Sequence, residues 1–399
     1  MNNKQFMEEL KNKREQYGIS QNQLAVACEM SRAYLNRIEN GKVQITEKKQ
    51  KEILKQVERF NPEEPLFLLI DYFSVRFPTI EATKVIEEVL QIKTNHFYHE
   101  EHGKYGYDEQ FTIGEIVVLL SHNEVLGTFL ELRGKGCRQI ESYLLAQERN
   151  WYDFMLSCLT AGGVIKRLDL AINDRVGILD IPKLIEKWEN GEVKTVFRKQ
   201  RHFNGSEQKG NDIPKRTGQT LYIGSPKSEM YMCVYEKALE QYVKNGTSIE
   251  EASIKNRFEI RLRNERAYHA VIDLISYHDV ERTAFSIINK YVCFLDREEG
   301  KSKKSWKINK DWAWFIGEHR EKLRLTTQPE PYTLERSLNW LARQVAPTLK
   351  MVQELDKIND TTILQDMLEH TELKNKQKHI LQLEQTNIEE CITSGHEKV

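Results

Sequence analysis

The sequence lacks the cysteine arrangement of a disulfide-bonded or zinc-binding protein. Its 399 residues include six scattered cysteines, namely Cys28, Cys137, Cys158, Cys233, Cys293 and Cys391. No two of them form a Cys-x-x-Cys pair, and none has histidine partners at zinc-finger spacing. This pattern excludes a disulfide framework and a zinc finger, and it is typical of reduced thiols in a cytoplasmic protein.

Long apolar runs are also absent. No run reaches the roughly 18 residues that a membrane-spanning helix needs. The segment Met1–Gln21 is polar and charged, unlike the apolar region of a signal peptide. The sequence therefore predicts a soluble, cytoplasmic protein without membrane insertion.

The chain as a whole has no excess of positive or negative charge, since its formal net charge is -1. The distribution is nevertheless uneven. Residues 1–60 carry 12 Lys/Arg against 8 Asp/Glu, whereas residues 351–399 carry 5 against 10. A basic start combined with an acidic end points mildly to contact with nucleic acid.

The basic start has the pattern of two short helices joined by a tight turn. Ser20 is placed to cap a helix Gln21–Glu29, and Ser31 to cap a second helix Arg32–Asn40, which stops at Gly41. The predicted core of this motif consists of Ile19, Leu24, Ala25, Leu35 and Ile38. The run resembles the phage-repressor-type helix-turn-helix, and a helical hairpin used for protein contact is the alternative.

In such motifs the first turn of the second helix meets base edges in the major groove. The predicted base readers are therefore Arg32, Ala33 and Asn36. Side chains around them are placed to contact phosphates, which position a protein without reading sequence. These are Gln23, Tyr34, Arg37 and Lys42.

After a short linker that ends at Pro65, the pattern changes to short strands mixed with helices. The predicted strands are 66–77, 113–121, 128–133, 164–173, 219–223, 230–236 and 257–263. The predicted helices between them are 80–92, 138–147, 152–160, 181–189 and 271–289. Such hairpin-like pairs among helices predict an α+β fold with a mostly antiparallel sheet, behind an all-α helix-turn-helix domain.

The predicted domains are residues 1–62 for the helix-turn-helix and 66–300 for an α+β catalytic domain. Residues 301–370 are predicted to be its helical C-terminal part. Residues 371–399 are polar, which predicts a frayed helix or a disordered tail.

Three predicted strands carry carboxylates in unusual settings. Asp71 lies within an otherwise apolar run, where an unpaired charge is expensive to bury. Asp169 and Glu259 alternate with apolar residues, so each points away from the core. Three carboxylates without histidine or cysteine suit a hard cation such as Mg²⁺ or Mn²⁺. The alternative for each is a carboxylate paired with a neighbouring arginine.

A tyrosine at the end of a predicted strand is a candidate nucleophile. Tyr235 ends the strand, and Lys237 follows two residues later. A phenol, with a pKa near 10, is a weak nucleophile unless a base or a cation assists it. A metal that polarises a phosphate, with Lys237 nearby, supplies such help. Tyr222 and Tyr231 remain alternatives on the same hairpin.

The segment from residue 194 to residue 216 holds seven Lys/Arg against two acidic residues. Phe197 and Phe203 within it are suited to stack on unpaired bases. The segment is predicted to be a DNA track, that is, a stretch of chain whose side chains contact a DNA strand. A solvated flexible loop is the alternative. The candidate DNA contacts are Arg198, Lys199, Arg201, Lys215 and Arg216.

Five segments together resemble the Rep_trans family, which comprises rolling-circle plasmid initiators and MobT-type relaxases of integrative conjugative elements. They occur in the family's order between about residue 66 and residue 345, and a helix-turn-helix in front resembles the MobT branch. The His-hydrophobe-His metal motif of other relaxases is absent. The segments are 69–74, 130–138, 167–171, 222–237 and 257–261.

The resemblance implies that a tyrosine nicks one DNA strand, leaving a 5′-phosphotyrosyl link and a free 3′-hydroxyl. It places the nucleophile at Tyr235 and the ligands of Mg²⁺ or Mn²⁺ at Asp71, Asp169 and Glu259. The implied role is a relaxase that starts conjugative transfer or rolling-circle replication. The implied partners are double- and single-stranded DNA at an origin, with an accessory processing protein, coupling protein or helicase. The alternatives are a plasmid replication initiator with the same chemistry and a non-enzymatic transcriptional regulator.

Overall fold

A computed structural model describes residues 3–17, 19–21, 24–25, 28, 30–58, 65–207, 215–245, 252–317, 322–330, 338 and 341–393. Gln23 and part of the predicted helix Gln21–Glu29 therefore lie outside the described residues, as do the side chains of Lys215 and Arg216. Across these ranges, no helix combines the length and the apolar character that crossing a membrane requires.

The N-terminal domain contains helices Asn3–Gln16, Arg32–Glu39 and Glu47–Glu58. The Ser31 hydroxyl caps the second of these by accepting a hydrogen bond from the Tyr34 backbone N–H at 3.2 Å. That helix ends where Gly41 takes a φ of +69°, a conformation that glycine adopts without strain. The predicted core is confirmed, since Ile19, Leu24, Ala25, Leu35 and Ile38 are all buried together.

Ten strands form one sheet in which every neighbouring pair is antiparallel. They are β1 (Leu66–Phe77), β2 (Tyr98–Glu100), β3 (Glu109–Ile113), β4 (Ile116–Leu120), β5 (Thr128–Arg133), β6 (Val164–Asp174), β8 (Gln200–Glu207), β9 (Lys215–Ile223), β10 (Met230–Tyr235) and β11 (Asn256–Arg263). Their order in the sheet is β2-β3-β4-β5-β1-β6-β11-β10-β9-β8. A smaller sheet joins β7 (Val193–Thr195), β12 (Val292–Asp296) and β13 (Lys307–Ile308). The predicted α+β class is confirmed.

Helices cover one face of the large sheet and supply much of its core. Phe73 of β1, for example, packs edge-on against Trp151 and Phe154, with ring centroids 6.0 and 5.8 Å apart. The helices between the strands are Ala82–Lys84, Lys135–Ala146, Trp151–Thr160, Ile181–Glu189, Lys237–Asn245, Asn264–Tyr277, Val280–Tyr291 and Lys310–Phe315, with a π-helical turn Val85–Val89. Because strand side chains alternate, the polar residues between the core positions face the other side.

Two predicted elements are divided in the structure. The predicted strand 113–121 is broken at Gly114, whose φ of +59° turns the chain between β3 and β4. The predicted helix 271–289 is interrupted at His278, which takes a left-handed conformation. A new helix then starts because the Asp279 carboxylate accepts a hydrogen bond from the Arg282 backbone N–H at 3.0 Å.

A bulge in β1 decides where Asp71 points. Ile70 pairs with Leu170 of β6 and Tyr72 with Asp169, so Asp71 is an extra residue in β1. A bulge of this kind re-aims the side chains on either side of it. Asp71 and Tyr72 consequently both reach the polar face of the sheet, where each bonds to a charged residue.

The C-terminal region packs against the domain that contains the large sheet. Trp312 and Phe315 are buried in the main core, and the Thr326 backbone N–H donates to Leu68 O of β1 at 2.8 Å. The predicted tail, residues 371–399, is described up to residue 393. It contains helices Asn375–Gln385 and Ile388–Cys391, and Cys391 is buried. Backbone pairing holds this end in place, since the Lys93 N–H donates to Cys391 O at 2.8 Å. The helices before the tail are Ala346–Asn359 and Ile363–Glu369.

Candidate active site

Four neighbouring strands bring the predicted site residues together on the polar face. Tyr235 of β10 pairs with Arg257 of β11, and Arg257 pairs in turn with Asn173 of β6. Two residues along β11, Glu259 pairs with Cys233. Register alone thus places the candidate nucleophile beside one of the predicted acids.

Tyr235 is half-buried, and its hydroxyl donates a hydrogen bond to Glu259 Oε1 at 2.7 Å. Burial raises the pKa of Tyr235 well above its ordinary value. The positive charge of Arg257 acts in the opposite direction, while Glu259 and Glu240 raise the pKa further. The phenol therefore keeps its proton near neutral pH. For the Tyr235 oxygen to attack a phosphate, a base in contact with the hydroxyl must take this proton, and Glu259 is in that position.

Glu259 is held in a fixed orientation by Arg261. Its carboxylate is 3% exposed, and Oε2 accepts hydrogen bonds from Arg261 Nε at 2.8 Å and Nη2 at 2.6 Å. The same guanidinium donates from Nη1 to the Tyr231 hydroxyl at 3.0 Å. Oε1 is thereby left to face Tyr235.

Arg257 is a buried cation between two of the predicted acids. Its Nε donates to Asn173 Oδ1 at 2.7 Å, and its Nη1 lies 3.1 Å from Asp71 Oδ1 and 3.7 Å from Glu259 Oε1. Burial alone acts to raise the pKa of Asp71. The charges of Arg257, Arg138 and Lys237 outweigh it, so the pKa is lowered and Asp71 stays ionised.

Asp169 is paired mainly with its strand neighbour Arg167. The Arg167 guanidinium donates to both carboxylate oxygens, at 2.9 and 2.6 Å. Arg261 Nε is farther away, 3.8 Å from Asp169 Oδ2. Burial raises the pKa of Asp169 to about 6, against the opposing effect of Arg167 and with a further upward effect from Glu259.

The three acids do not fit a three-carboxylate site for Mg²⁺ or Mn²⁺. Arg257 lies between Asp71 and Glu259, and Arg261 lies between Glu259 and Asp169. Among the residues that the structure describes, no group of three or more His, Cys, Asp or Glu is arranged to hold a metal ion. The arrangement is instead the alternative left open by the sequence, in which each carboxylate is paired with arginine. Residue types alone could not reveal this, because it depends on cross-strand register.

Lys237 lies close to Tyr235, as its position two residues later suggested. Its Nζ is 5.5 Å from the centre of the Tyr235 ring, and it forms an ion pair with Glu240. Burial and the nearby charge of Arg257 lower the pKa of Lys237.

A cavity of 390 Å³ opens beside Tyr235, and Tyr222 and Arg261 also line it. Burial is the main reason why the pKa of Tyr222 rises to about 12, and the neighbouring Cys233 thiol raises it further. Tyr231 is 4% exposed, so it is far less accessible. Sequence reasoning gave no site role to Arg257 and Arg261. Their alternation with the buried residues of β11 was the signal that could have placed them on the same face as Glu259.

The described parts of the predicted DNA track, residues 194–207 and 215–216, are mainly β-structure. Arg198 and Lys199 are exposed just before β8, and Arg201 is exposed on β8 opposite Tyr222. Phe203 is 56% exposed, and its ring lies 5.7 Å from that of Tyr222. Lys215 and Arg216 lie on β9, opposite the end of β8.

The predicted reading helix presents its candidate residues to solvent. Those at the described positions are all exposed, namely Arg32, Ala33, Tyr34, Asn36, Arg37 and Lys42. Asn36 is already hydrogen bonded, since its Nδ2 donates to Gln21 Oε1 at 3.2 Å. Gln21 in turn bonds to the buried Glu39, which ties the exposed amide to the core of the motif.

Comparison with known proteins agrees with this fold. Residues 163–368 match the replication initiation factor family, Rep_trans. The chain belongs to that family. In the same chain, residues 67–157 also match the N-terminal domain of rolling circle replication initiation proteins, and residues 10–57 match the helix-turn-helix family.

Two relatives extend the match along the chain. The chain is 38% identical over 331 residues to NicK, a candidate DNA relaxase of Bacillus subtilis (strain 168), covering 83% of this chain and 93% of NicK. It is 26% identical to the solved rolling circle replication initiator protein from Geobacillus stearothermophilus, with a TM-score of 0.56, covering 66% of this chain and 99% of the other. The family predicted from the five segments is confirmed, and it is a family of DNA-nicking enzymes.

Proposed function

We propose that this protein nicks one DNA strand at an origin through Tyr235, forming a 5′-phosphotyrosyl link and a free 3′-hydroxyl. The observation that carries the proposal is the 2.7 Å hydrogen bond from the Tyr235 hydroxyl to Glu259 in an open cleft. A nucleophile in contact with a base that is itself held by a third group is the expected constellation for covalent catalysis.

In the proposed step the Tyr235 oxygen bonds to phosphorus as its proton moves to Glu259 Oε1. The bond from phosphorus to the 3′-oxygen breaks, and that oxygen takes a proton from solvent. Arg257 and Lys237 provide positive charge beside the oxygen as it becomes negative. One phosphodiester replaces another, so resealing needs no ATP.

The direct test is a covalent adduct. The full chain is incubated with a labelled single-stranded origin oligonucleotide and Mn²⁺, and the products are separated on a denaturing gel. A labelled species that migrates with the protein is expected. A non-enzymatic regulator predicts no such species at any protein concentration.

The need for a divalent ion is a separate prediction, which rests on the family resemblance. Nicking is expected to stop with a chelator and to return when Mg²⁺ or Mn²⁺ is added in excess. Comparing the two ions at equal free concentration identifies the better one. Unchanged nicking in the chelator would contradict the prediction and agree with the arginine-paired carboxylates.

Replacing the proposed base is expected to slow nicking strongly. Glu259→Gln keeps an oxygen that can accept the Tyr235 hydrogen bond but cannot take its proton at neutral pH. Nicking should slow by about 10²–10⁴-fold, the usual contribution of a general base. Rates are measured under single-turnover conditions, with Glu265→Gln on the exposed start of the helix Asn264–Tyr277 as the matched control.

A Mn²⁺ titration of the same variant separates the two roles considered for Glu259. A base predicts a lower maximal rate with the same half-saturating Mn²⁺ concentration. A metal ligand predicts that the half-saturating concentration rises. A variant that nicks at the parental rate would remove Glu259 from both roles.

The helix-turn-helix is proposed to bring the nicking domain to duplex DNA near the origin. Deletion of residues 1–62 is expected to weaken binding to an origin duplex, because the exposed reading helix is lost. Cleavage of a single-stranded origin oligonucleotide should stay within about twofold, since the Tyr235 cleft lies in the other domain. Gel-shift and cleavage assays on the same preparation measure both. Equal loss of the two activities would mean that this domain belongs to the catalytic unit.

Two biological roles fit the same chemistry. The similarity to a candidate relaxase favours conjugative transfer from an origin of transfer, with a coupling protein or processing protein as partner. The similarity to a rolling circle initiator favours plasmid replication with a helicase. We favour transfer because the relaxase match is the more identical and covers more of the chain. Mobilisation of a plasmid that carries the candidate origin into recipient cells separates the two.

A further inference from the structure

A second concave site lies at the turn between β9 and β10, at the other end of this hairpin from Tyr235. It is a cavity of 460 Å³, bounded by the segment before β8, by the hairpin turn and by the ends of two helices. This volume falls within the range of about 300–1,000 Å³ that is usual for small-ligand sites. Its lining includes Phe197, Arg198, Lys199, Gly224, Arg266 and Tyr291.

One wall of this hairpin-tip pocket is aromatic and rigid. The rings of Phe197 and Tyr291 lie 5.5 Å apart, tilted by 33°. Gly224 takes a φ of +95°, and a Cβ atom there would lie 2.9 Å from the Phe197 ring. The Gly224 N–H also donates to Lys199 O at 2.8 Å. Only glycine lets Phe197 pack this closely against the hairpin, so the wall is built into the fold.

The rim of the hairpin-tip pocket is positively charged. Arg198, Lys199 and Arg266 are exposed there, and none of the three forms a salt bridge with another described residue. The carboxylate at the rim, Glu229, accepts a hydrogen bond from Asn264 Nδ2 at 3.2 Å. Three cations therefore face solvent beside two aromatic rings.

We propose that the hairpin-tip pocket binds one unpaired nucleotide of the DNA strand that is nicked. Its base stacks on the wall formed by Phe197 and Tyr291, and the rim cations hold the neighbouring phosphates. Aromatic faces with interleaved basic side chains are the general means of binding single strands. This inference rests on the proposed nicking function and adds a subsite to it.

The pocket also stands at a defined distance from the nucleophile. Met230 lines the pocket and Tyr235 ends the same strand, five residues later. At about 3.3 Å per residue, that strand separates them by roughly 16 Å. Phe197 and Tyr291 pack against the main core, whereas Tyr235 faces the polar side of the sheet, so a DNA strand that joins the two sites covers more than this distance. The bound nucleotide therefore lies at least a few positions from the nick.

The test measures binding in the full chain carrying Tyr235→Phe, so that no cleavage occurs. Fluorescence anisotropy is recorded with a set of single-stranded origin oligonucleotides, each with one abasic position. At a single position, distant from the nick, the abasic site is expected to weaken binding by at least about fivefold. This is the lower end of the effect of losing one stacked base. Adding Tyr291→Leu should remove the sensitivity at that position and leave the others unchanged.

Arg266→Gln provides a second variant, because Arg266 is exposed and its replacement leaves the core intact. It should weaken binding of the unmodified strand and lower the slope of log affinity against log salt by about 0.7, the value for one phosphate contact on a single strand. Arg297→Gln, exposed and outside the pocket, is the charge-matched control. A flat abasic scan, or a sensitive position that persists unchanged with Tyr291→Leu, would overturn the proposal.

Failure of the two proposals gives different results. If the pocket is wrong but the nicking function is right, the parental chain forms the covalent adduct and the abasic scan is flat. If the nicking function is wrong, no adduct forms, whatever the abasic scan shows.

Discussion

Tyr235→Phe is expected to abolish nicking of a supercoiled origin plasmid, with a loss of at least about 10⁴-fold. The substitution keeps the ring and its packing and removes only the hydroxyl that bonds to Glu259. Binding of duplex origin DNA should be unchanged, since the helix-turn-helix is untouched. Conversion of supercoiled to open-circular plasmid measures the first effect, and a gel shift measures the second.

The same cleft offers the most informative comparison. Tyr222 lines the cavity beside Tyr235, so Tyr222→Phe tests the rival nucleophile. Tyr268→Phe, on an exposed helix position, controls for loss of a phenol elsewhere. Full nicking by Tyr235→Phe together with loss in Tyr222→Phe would move the nucleophile to Tyr222. Mapping the tyrosine in the peptide attached to DNA gives an independent answer.

Arg257→Met is expected to lower the free energy of unfolding by about 3–5 kcal/mol, the usual effect of removing one partner of a buried ion pair. Arg257 is buried and neutralises both Asp71 and Glu259. Methionine fills much of the same volume but leaves both carboxylates without that cation. Urea unfolding measures the loss, and exposed Arg324→Met should change stability by less than about 0.5 kcal/mol.

Two further measurements identify the cause of this loss. Asp71→Asn in the Arg257→Met background should recover part of the stability, because one unpaired buried charge is removed. The difference between parent and Arg257→Met should also shrink in acid. Since the pKa of Asp71 is lowered below its ordinary value of 3.8, its ionised form stabilises the folded protein above that pH. This contribution is lost as pH falls through the lowered pKa. A variant as stable as the parent would show that Arg257 has no such role.

The helix-turn-helix and the strands around the site could be predicted because their signals are local. Ser31 caps its helix through a backbone N–H three residues away, and Leu35 and Ile38 bury one face of that helix. In β6 and β11, alternation alone separated core residues from Asp169 and Glu259. Motif order along these elements was enough for the family to be recognised.

Other features depend on contacts that local patterns do not contain. The tail beyond residue 371 is polar, yet its end pairs with the backbone of Gln91 and Lys93, almost 300 residues earlier in the chain. Phe197 was predicted to stack on DNA from a basic segment. It also forms half of a pocket wall, together with Tyr291 from a distant helix. Contacts between distant segments decided both outcomes.

The sequence by itself determined the family, the helix-turn-helix, the antiparallel α+β class and the set of polar side chains on one sheet face. Alternation, capping and motif order are properties of short segments, so they can be read without coordinates. Only the tertiary structure decided which charges meet. The β1 bulge brings Asp71 to Arg257, and the pairing of β6, β11 and β10 joins Glu259 to Tyr235 and Arg261. The register between strands from distant parts of the chain therefore places arginines beside the three candidate metal ligands, and each of these carboxylates is paired with arginine.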